Sequence, residues 1–153
     1  MITPAEGEFR LDHEGDTRRL GAAIARELKA GEAVCLSGPL GAGKTTLARG
    51  LIQALTGEAT ETTSPTFVLA QTYEAPSLTL THFDLYRLEE PEETRELGID
   101  DALDSGAAVI EWPERLGHHL PHDRVDVELR ITGDARRARL TPHGTWEGRA
   151  LEL

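Results

Sequence analysis

The run Gly38-Pro39-Leu40-Gly41-Ala42-Gly43-Lys44-Thr45 fits the pattern G-x-x-x-x-G-K-[ST] in full. That pattern serves phosphate binding. Its glycines let backbone N–H groups turn inward around an anion, and a helix starting at the lysine adds the positive end of its dipole. Lys44 then reaches the β- and γ-phosphates of a nucleotide, and the Thr45 hydroxyl ligates Mg²⁺. The chain holds only two lysines, Lys29 and Lys44. Neither stands in an Asn-Lys-x-Asp guanine-reading motif, since Ala30-Gly31 follows Lys29, so adenine is the default base. ATP and Mg²⁺ are the cofactors this chemistry implies.

A phosphate loop also needs a second metal contact, because Mg²⁺ takes near-octahedral oxygen ligation from side chains, phosphates and water. An acid at the end of a neighbouring buried strand normally supplies it. Two acids qualify: Asp84, after Leu78-Thr79-Leu80-Thr81-His82-Phe83, and Glu111, after Ala107-Ala108-Val109-Ile110. Taken alone, either could instead be a strand-end acid that only caps the next helix.

The elements that must hold these groups are legible as periodicities. Ala33 to Ser37 is a short apolar run leading into the loop, and Lys44 to Leu55 carries Leu47, Leu51, Ile52 and Leu55 at helical spacing before Gly57. The order is strand, glycine loop, helix. Upstream, Leu20, Ala23, Ile24 and Leu28 mark an amphipathic helix with Asp12 or Asp16 as candidate caps and Gly31 as a stop. Glu58 to Ser64 reads as a polar loop, with Pro65 keeping Ser64 extended. Phe67 to Tyr73 and Leu78 to Phe83 form a predicted hairpin, which puts antiparallel pairs into the sheet. Short helices are expected over Pro91 to Leu97 and Ile99 to Leu103, separated by Gly98 and closed by Gly106, then a buried strand from Ala107 to Ile110 ending in Glu111. Val125, Val127, Leu129 and Ile131 alternate with charged residues as a half-exposed strand does, and a second strand runs from Arg136 to Thr141 after the turn Thr132-Gly133-Asp134. His143 to Leu153 is too irregular to assign. The implied architecture is α/β: a three-layer phosphate-loop domain on a mixed parallel and antiparallel central sheet.

At 153 residues, the whole chain, 1–153, is expected to be a single domain. Hydrophobic content of 39% and charged content of 28% are ordinary for a globular protein and exclude a collagenous or disulfide-stapled scaffold. With 27 acidic residues against 16 basic ones, the net charge of -11 works against independent capture of nucleic acid or of an anionic membrane. The single cysteine, Cys35, lies in an apolar run as a small buried thiol. Residues 1–8 lack the pattern of a signal peptide, and no segment approaches the roughly 18 uninterrupted apolar residues of a membrane span. A cytoplasmic protein without membrane contact is expected.

Four blocks in order carry a resemblance: Leu40-Gly41-Ala42-Gly43-Lys44-Thr45-Thr46, Ser64-Pro65-Thr66-Phe67, His82-Phe83-Asp84-Leu85-Tyr86-Arg87 and Ile110-Glu111-Trp112-Pro113-Glu114. Together they resemble the TsaE family, also called YjeE, small bacterial ATPases of tRNA threonylcarbamoyladenosine biosynthesis. The likeness runs from about Asp12 to about Ile131. It implies a Mg²⁺-dependent ATPase, weak without its partners, that acts with the TsaB and TsaD proteins on the adenosine beside the anticodon of ANN-decoding tRNAs and meets tRNA indirectly through that complex. It further implies that Gly41, Ala42, Gly43, Lys44, Thr45 and Thr46 bind the nucleotide, and that Ser64, Pro65, Thr66 and Phe67 form a first switch. Asp84 is then placed near the metal and the attacking water, Glu111 is a metal-associated acid with Trp112 beside it, and Glu14 and Thr17 lie near the adenine. Pro39 departs from the acidic residue common in the family, at a position that should not touch the phosphates.

Other signals have plainer readings. Pro121 breaks any helix that would align His118, His119 and His122 on a metal. Arg136-Arg137-Ala138-Arg139 reads as a solvated strand face before it reads as an RNA site. A small-molecule kinase would need an acceptor domain and an arginine-bearing lid, for which the stretch from Glu58 to Asp84 is too short. A nucleotide-gated docking module fits better, and it merges with the family reading.

Overall fold

The computed structural model describes residues 1–57, 70–93 and 97–153. Its elements run β1 (Ile2–Pro4), β2 (Gly7–Leu11), α1 (Glu14–Glu27), β3 (Ala33–Ser37), α2 (Lys44–Thr56), β4 (Ala70–Glu74) and β5 (Thr79–Asp84). They continue with α3 (Ile99–Ser105), β6 (Ala107–Glu111), β7 (Arg124–Thr132), β8 (Ala135–His143) and β9 (Ala150–Glu152).

Among the described residues, seven strands form one mixed sheet in the order β2-β8-β7-β3-β6-β5-β4. Its middle is parallel: β3 pairs with β6 on one side and β7 on the other, and β6 pairs with β5. The flanks are antiparallel, through β4 with β5, β7 with β8, and β8 with β2. β3 and β6 are buried on both faces, as central parallel strands must be, so they read as unbroken apolar runs. Val34, Leu36, Ala107 and Val109 face the core under α1 and α2, whereas Ala33, Cys35, Ala108 and Ile110 face a second core with Ile99 of α3 and Leu116. Three layers result. Burial pushes the Cys35 thiol far above the ordinary thiol range, which leaves it inert.

α1 and α2 pack unusually closely. A Cβ on Gly21 would stand 2.3 Å from the Leu47 carbonyl oxygen, and one on Gly50 would stand 2.5 Å from that of Arg18. Each helix therefore presents its bare backbone to the other, which seats Leu20 and Ile24 of α1 and Leu47 and Leu51 of α2 on the sheet with almost no exposure. Burying each such side chain contributes about 1.5–3 kcal/mol.

Several expectations need correction or extension. Neither Asp12 nor Asp16 is the N-cap of α1; His13 holds that position, and the Asp16 carboxylate, three residues in, accepts the His13 N–H at 3.0 Å. That helix ends at Glu27 because Leu28 turns extended, before Gly31 is reached. Over Pro91 to Leu97, a 3-10 turn occupies Pro91–Glu93, and 94–96 lie outside the described residues. Phe67 to Leu69 of the first hairpin strand also lie outside them.

The unassigned ends are ordered against each other. β1 pairs with β9, and Trp146, on a 3-10 turn between β8 and β9, is fully buried in the α1–α2 core. Arg149 locks this segment down: its guanidinium donates to both Glu32 carboxylate oxygens at 2.6 and 2.8 Å and to the Glu27 carbonyl at 2.9 Å, and it lies over the Trp146 ring. Burial pushes the Glu32 carboxyl up, but the bonds from Arg149, Thr145 and the Lys29 N–H outweigh it and hold the group below the usual glutamate range. No described helix is long and apolar enough to cross a membrane.

Candidate functional site

β3 delivers the chain to the sheet's carboxyl edge at the point where its two parallel neighbours diverge, which is where ligands of open α/β sheets bind. Gly38 leaves the strand with φ of 137°, and a Cβ there would meet the Leu129 carbonyl oxygen at 2.4 Å, so only glycine makes this exit. The loop then turns, with the Ala42 N–H on the Pro39 carbonyl at 3.2 Å, and α2 begins at Lys44.

Lys44 is buried, and its ammonium group donates to the carbonyl oxygens of Gly38 and, at 3.0 Å, of Pro39. The Trp112 ring covers it, 4.1 Å from Nζ to the centroid. Burial pulls the ammonium below the ordinary lysine range, opposed by the charges of Glu111, Glu114 and Asp84. Pro39 thus meets Lys44 through its carbonyl, a contact that any residue there would offer.

Asp84 and Glu111 end β5 and β6 in register. Glu111 is buried; its Oε1 lies 3.4 Å from the Thr45 hydroxyl, which donates to it, and its Oε2 lies 2.6 Å from His82 Nε2. Asp84 is less enclosed and accepts the Tyr86 N–H at 3.1 Å. Burial raises the Asp84 carboxyl above the ordinary aspartate range, and the charge of Glu111 adds to that, partly offset by the Tyr86 bond, His82 and Lys44. The alternative of a helix-capping acid fails for Glu111, whose carboxylate is turned inward to Thr45 and His82. Trp112 follows with φ of 62°, the one positive value among described non-glycine residues. Its N–H donates to the Leu36 carbonyl at 3.2 Å, and its ring lies 4.9 Å from that of Tyr86. The tie to β3 and the ring contacts with Lys44 and Tyr86 hold this strained turn in place.

Lys44, Thr45, Asp84, Tyr86, Glu111 and Trp112 line one cavity of about 370 Å³. A second cavity of about 340 Å³ lies across the loop, sharing Gly41, Gly43 and Thr46 with the first. Glu14 and Thr17 from the start of α1 line this second space. So do Asp12 and His13 before α1, Asp134 in the β7–β8 turn and Arg136 at the start of β8, none of which sequence reasoning marks as site residues. Arg136 reaches the loop itself, its Nε donating to the Gly41 carbonyl at 3.3 Å, whereas Arg137 and Arg139 pair with Glu8 on β2. The basic cluster is therefore split between the site and a strand face. Ala42 is fully buried beneath the loop. Ser64, Pro65, Thr66 and Phe67 lie outside the described residues.

The donor set fits a hard divalent cation. The Thr45 and Glu111 oxygens are 3.4 Å apart, near the roughly 3 Å between adjacent corners of an octahedron with 2.0–2.1 Å bonds. Lys44, held now by loop carbonyls, has the mobile stem and the position to pass its charge to a phosphate.

Fold and site together define a three-layer α/β protein with a glycine-rich phosphate loop at the carboxyl edge of a mixed sheet, walled by two acids and a tryptophan. Among known families, the one described as "Threonylcarbamoyl adenosine biosynthesis protein TsaE" matches residues 11–139. The tRNA threonylcarbamoyladenosine biosynthesis protein TsaE of Rickettsia bellii is 43% identical over 127 residues, covering 83% of this chain and 88% of that one. Its namesake from Treponema pallidum is 42% identical over 123 residues, with coverage of 80% and 90%. The crystal structure of Bacillus subtilis YdiB superposes with a TM-score of 0.75 at 26% identity, over 94% of this chain and 88% of that one. The chain belongs to the TsaE family, whose role is in tRNA threonylcarbamoyladenosine biosynthesis.

Proposed function

We propose that this chain binds ATP with Mg²⁺, hydrolyses it, and through that cycle supports threonylcarbamoylation of the adenosine next to the anticodon in ANN-decoding tRNAs, together with TsaB and TsaD proteins. The observation that carries the reading is the convergence of Lys44, Thr45, Asp84 and Glu111 on one cavity at the loop. In this reading the loop N–H groups and Lys44 hold the phosphates, and the cavity beside Glu14, Thr17 and Arg136 takes the nucleoside. Thr45 and Glu111 would hold Mg²⁺, with Asp84 nearby; when bound, the ion neutralises phosphate charge. Asp84, whose carboxyl is held above the ordinary aspartate range by burial, orients the attacking water and accepts its proton. Lys44 neutralises charge developing on the β- and γ-phosphates.

Two measurements test the proposal. Phosphate release from ATP by the purified chain, alone and with TsaB and TsaD, should be slow and then stimulated. A reconstituted tRNA modification reaction from which this protein is withheld should fall to background. Undiminished modification without it, or no ATP turnover under either condition, would refute the reading.

A further inference from the structure

Glu111 is assigned to the metal in the reading above, but its carboxylate is shared. Oε1 faces the Thr45 hydroxyl at 3.4 Å, and Oε2 is taken by His82 Nε2 at 2.6 Å. Both side chains are almost wholly enclosed, at 2% exposure for His82 and 3% for Glu111, so no water competes for that contact. His82 sits on β5 and Glu111 on β6, two neighbouring strands in parallel register. His82 Nδ1 has no hydrogen-bond partner among the described residues. A proton on Nδ1 would leave a buried donor unmet and set the bare Nε2 against a carboxylate oxygen, so the proton belongs on Nε2.

From this geometry we infer that His82 is a positioning residue for the metal: its Nε2–H anchors Glu111 Oε2, which fixes the carboxylate rotamer and leaves Oε1 as the oxygen offered beside Thr45. The inference rests on the reading of Glu111 as a metal-holding residue. Outer groups that orient a ligating side chain typically govern affinity by 10–100-fold. The alternative is that His82 merely satisfies a buried acid; that role would affect folding and leave metal affinity unchanged in the folded protein.

The test uses Mn²⁺ as the probe, titrated by electron paramagnetic resonance against the full chain saturated with a non-hydrolysable ATP analogue. Three variants are compared: His82→Gln, whose amide nitrogen reaches as far as Nε2; His82→Asn, whose amide reaches only as far as Nδ1; and Glu111→Gln. His82→Asn should weaken Mn²⁺ by about 10–100-fold, and His82→Gln should stay within about threefold of the parent. Affinity for the analogue in EDTA should be unchanged in both. Parent-like Mn²⁺ affinity in His82→Asn would overturn the inference, as would equal losses in His82→Gln and His82→Asn. Parent-like affinity in Glu111→Gln would instead overturn the metal-site reading beneath it.

Discussion

Asp84 and Glu111 stand side by side as register partners at the ends of two parallel strands, yet their carboxylates occupy different surroundings: Glu111 is sealed between Thr45 and His82, and Asp84 opens onto the cavity with a single backbone bond. In the function proposed above, two like acids so placed would divide the work, the enclosed one holding the metal and the open one exchanging protons.

That division sets the first expectation. Asp84→Asn should lower ATP turnover by about 100-fold or more with Mn²⁺ affinity close to the parent's, because it removes a proton acceptor. Glu111→Gln should lower both. The double variant should lose less than the product of the single losses, since both acids serve one network. Steady-state turnover beside metal titration checks this, and normal hydrolysis by either single variant would remove that residue from the site.

Lys44→Ala should reduce hydrolysis by about 100-fold or more, because it deletes a preorganised charge and the only other lysine, Lys29, does not line the cavity. It should also quench or shift the signal of Trp112, whose ring covers the ammonium. Turnover within a few-fold of the parent would sink the assignment.

Arg149→Ala should destabilise the fold by about 3 kcal/mol or more, since it strands the Glu32 carboxylate, whose side chain is 5% exposed. Urea denaturation followed by fluorescence measures it. The pH dependence has a definite sign. Glu32 is held below its ordinary value of 4.5, so its stabilisation is complete above that value and is lost as pH falls through the lower folded value. Glu32→Gln should therefore lose stability less steeply than the parent in the acid range; an identical acid slope would contradict the clamp.

Gly21→Val should cost about 1–3 kcal/mol or more, because the new side chain must enter space held by the Leu47 carbonyl, and backbone yields less than a side-chain tip. A thermal melt within a degree or two of the parent would show that α1 and α2 can separate freely.

Nucleotide state should control docking. Leu40 on the loop tip is 69% exposed and Tyr86 at the cavity rim 46%, so apolar surface borders the place where a γ-phosphate is expected. A coupling of about 1–3 kcal/mol would change affinity for a TsaB–TsaD pair by about 5–150-fold between the ADP and ATP-analogue states, and the pair would tighten ATP binding equally. Titrations with no nucleotide, ADP and the analogue decide it; equal affinities, with unchanged hydrolysis on adding the pair, would refute gating.

What could be read from the sequence follows the range of the interactions involved. The loop from Gly38 to Thr45 was legible because phosphate chemistry fixes residue types at short spacing, and Asp84 and Glu111 because buried parallel strands end in them. Arg136 and Asp134 were not, because they reach the loop only through a hairpin that pairing with β3 brings alongside. His82 stood in plain view within a motif block, but its partner is 29 residues away and lies on another strand. Trp146 and Arg149 carry no periodic pattern at all; their place is set by Glu32, more than a hundred positions earlier.

The wiring of the sheet also orders events in time. Among the described residues β2 pairs with β8 alone, Gly7 opposite Leu140, so one edge of the sheet waits for a strand made more than a hundred residues later. Among the described residues, the cavity bounded by Lys44, Asp84 and Trp112 is lined by positions 40 to 112, whereas the one across the loop is lined also by Asp134 and Arg136. At roughly 5–20 residues per second, the residues lining the first cavity are synthesised a second or more before Arg136 of the second. Both cavities still wait on β7, which flanks β3 and sets the Leu129 carbonyl against Gly38, so the two walls of the site close together once that strand is in place.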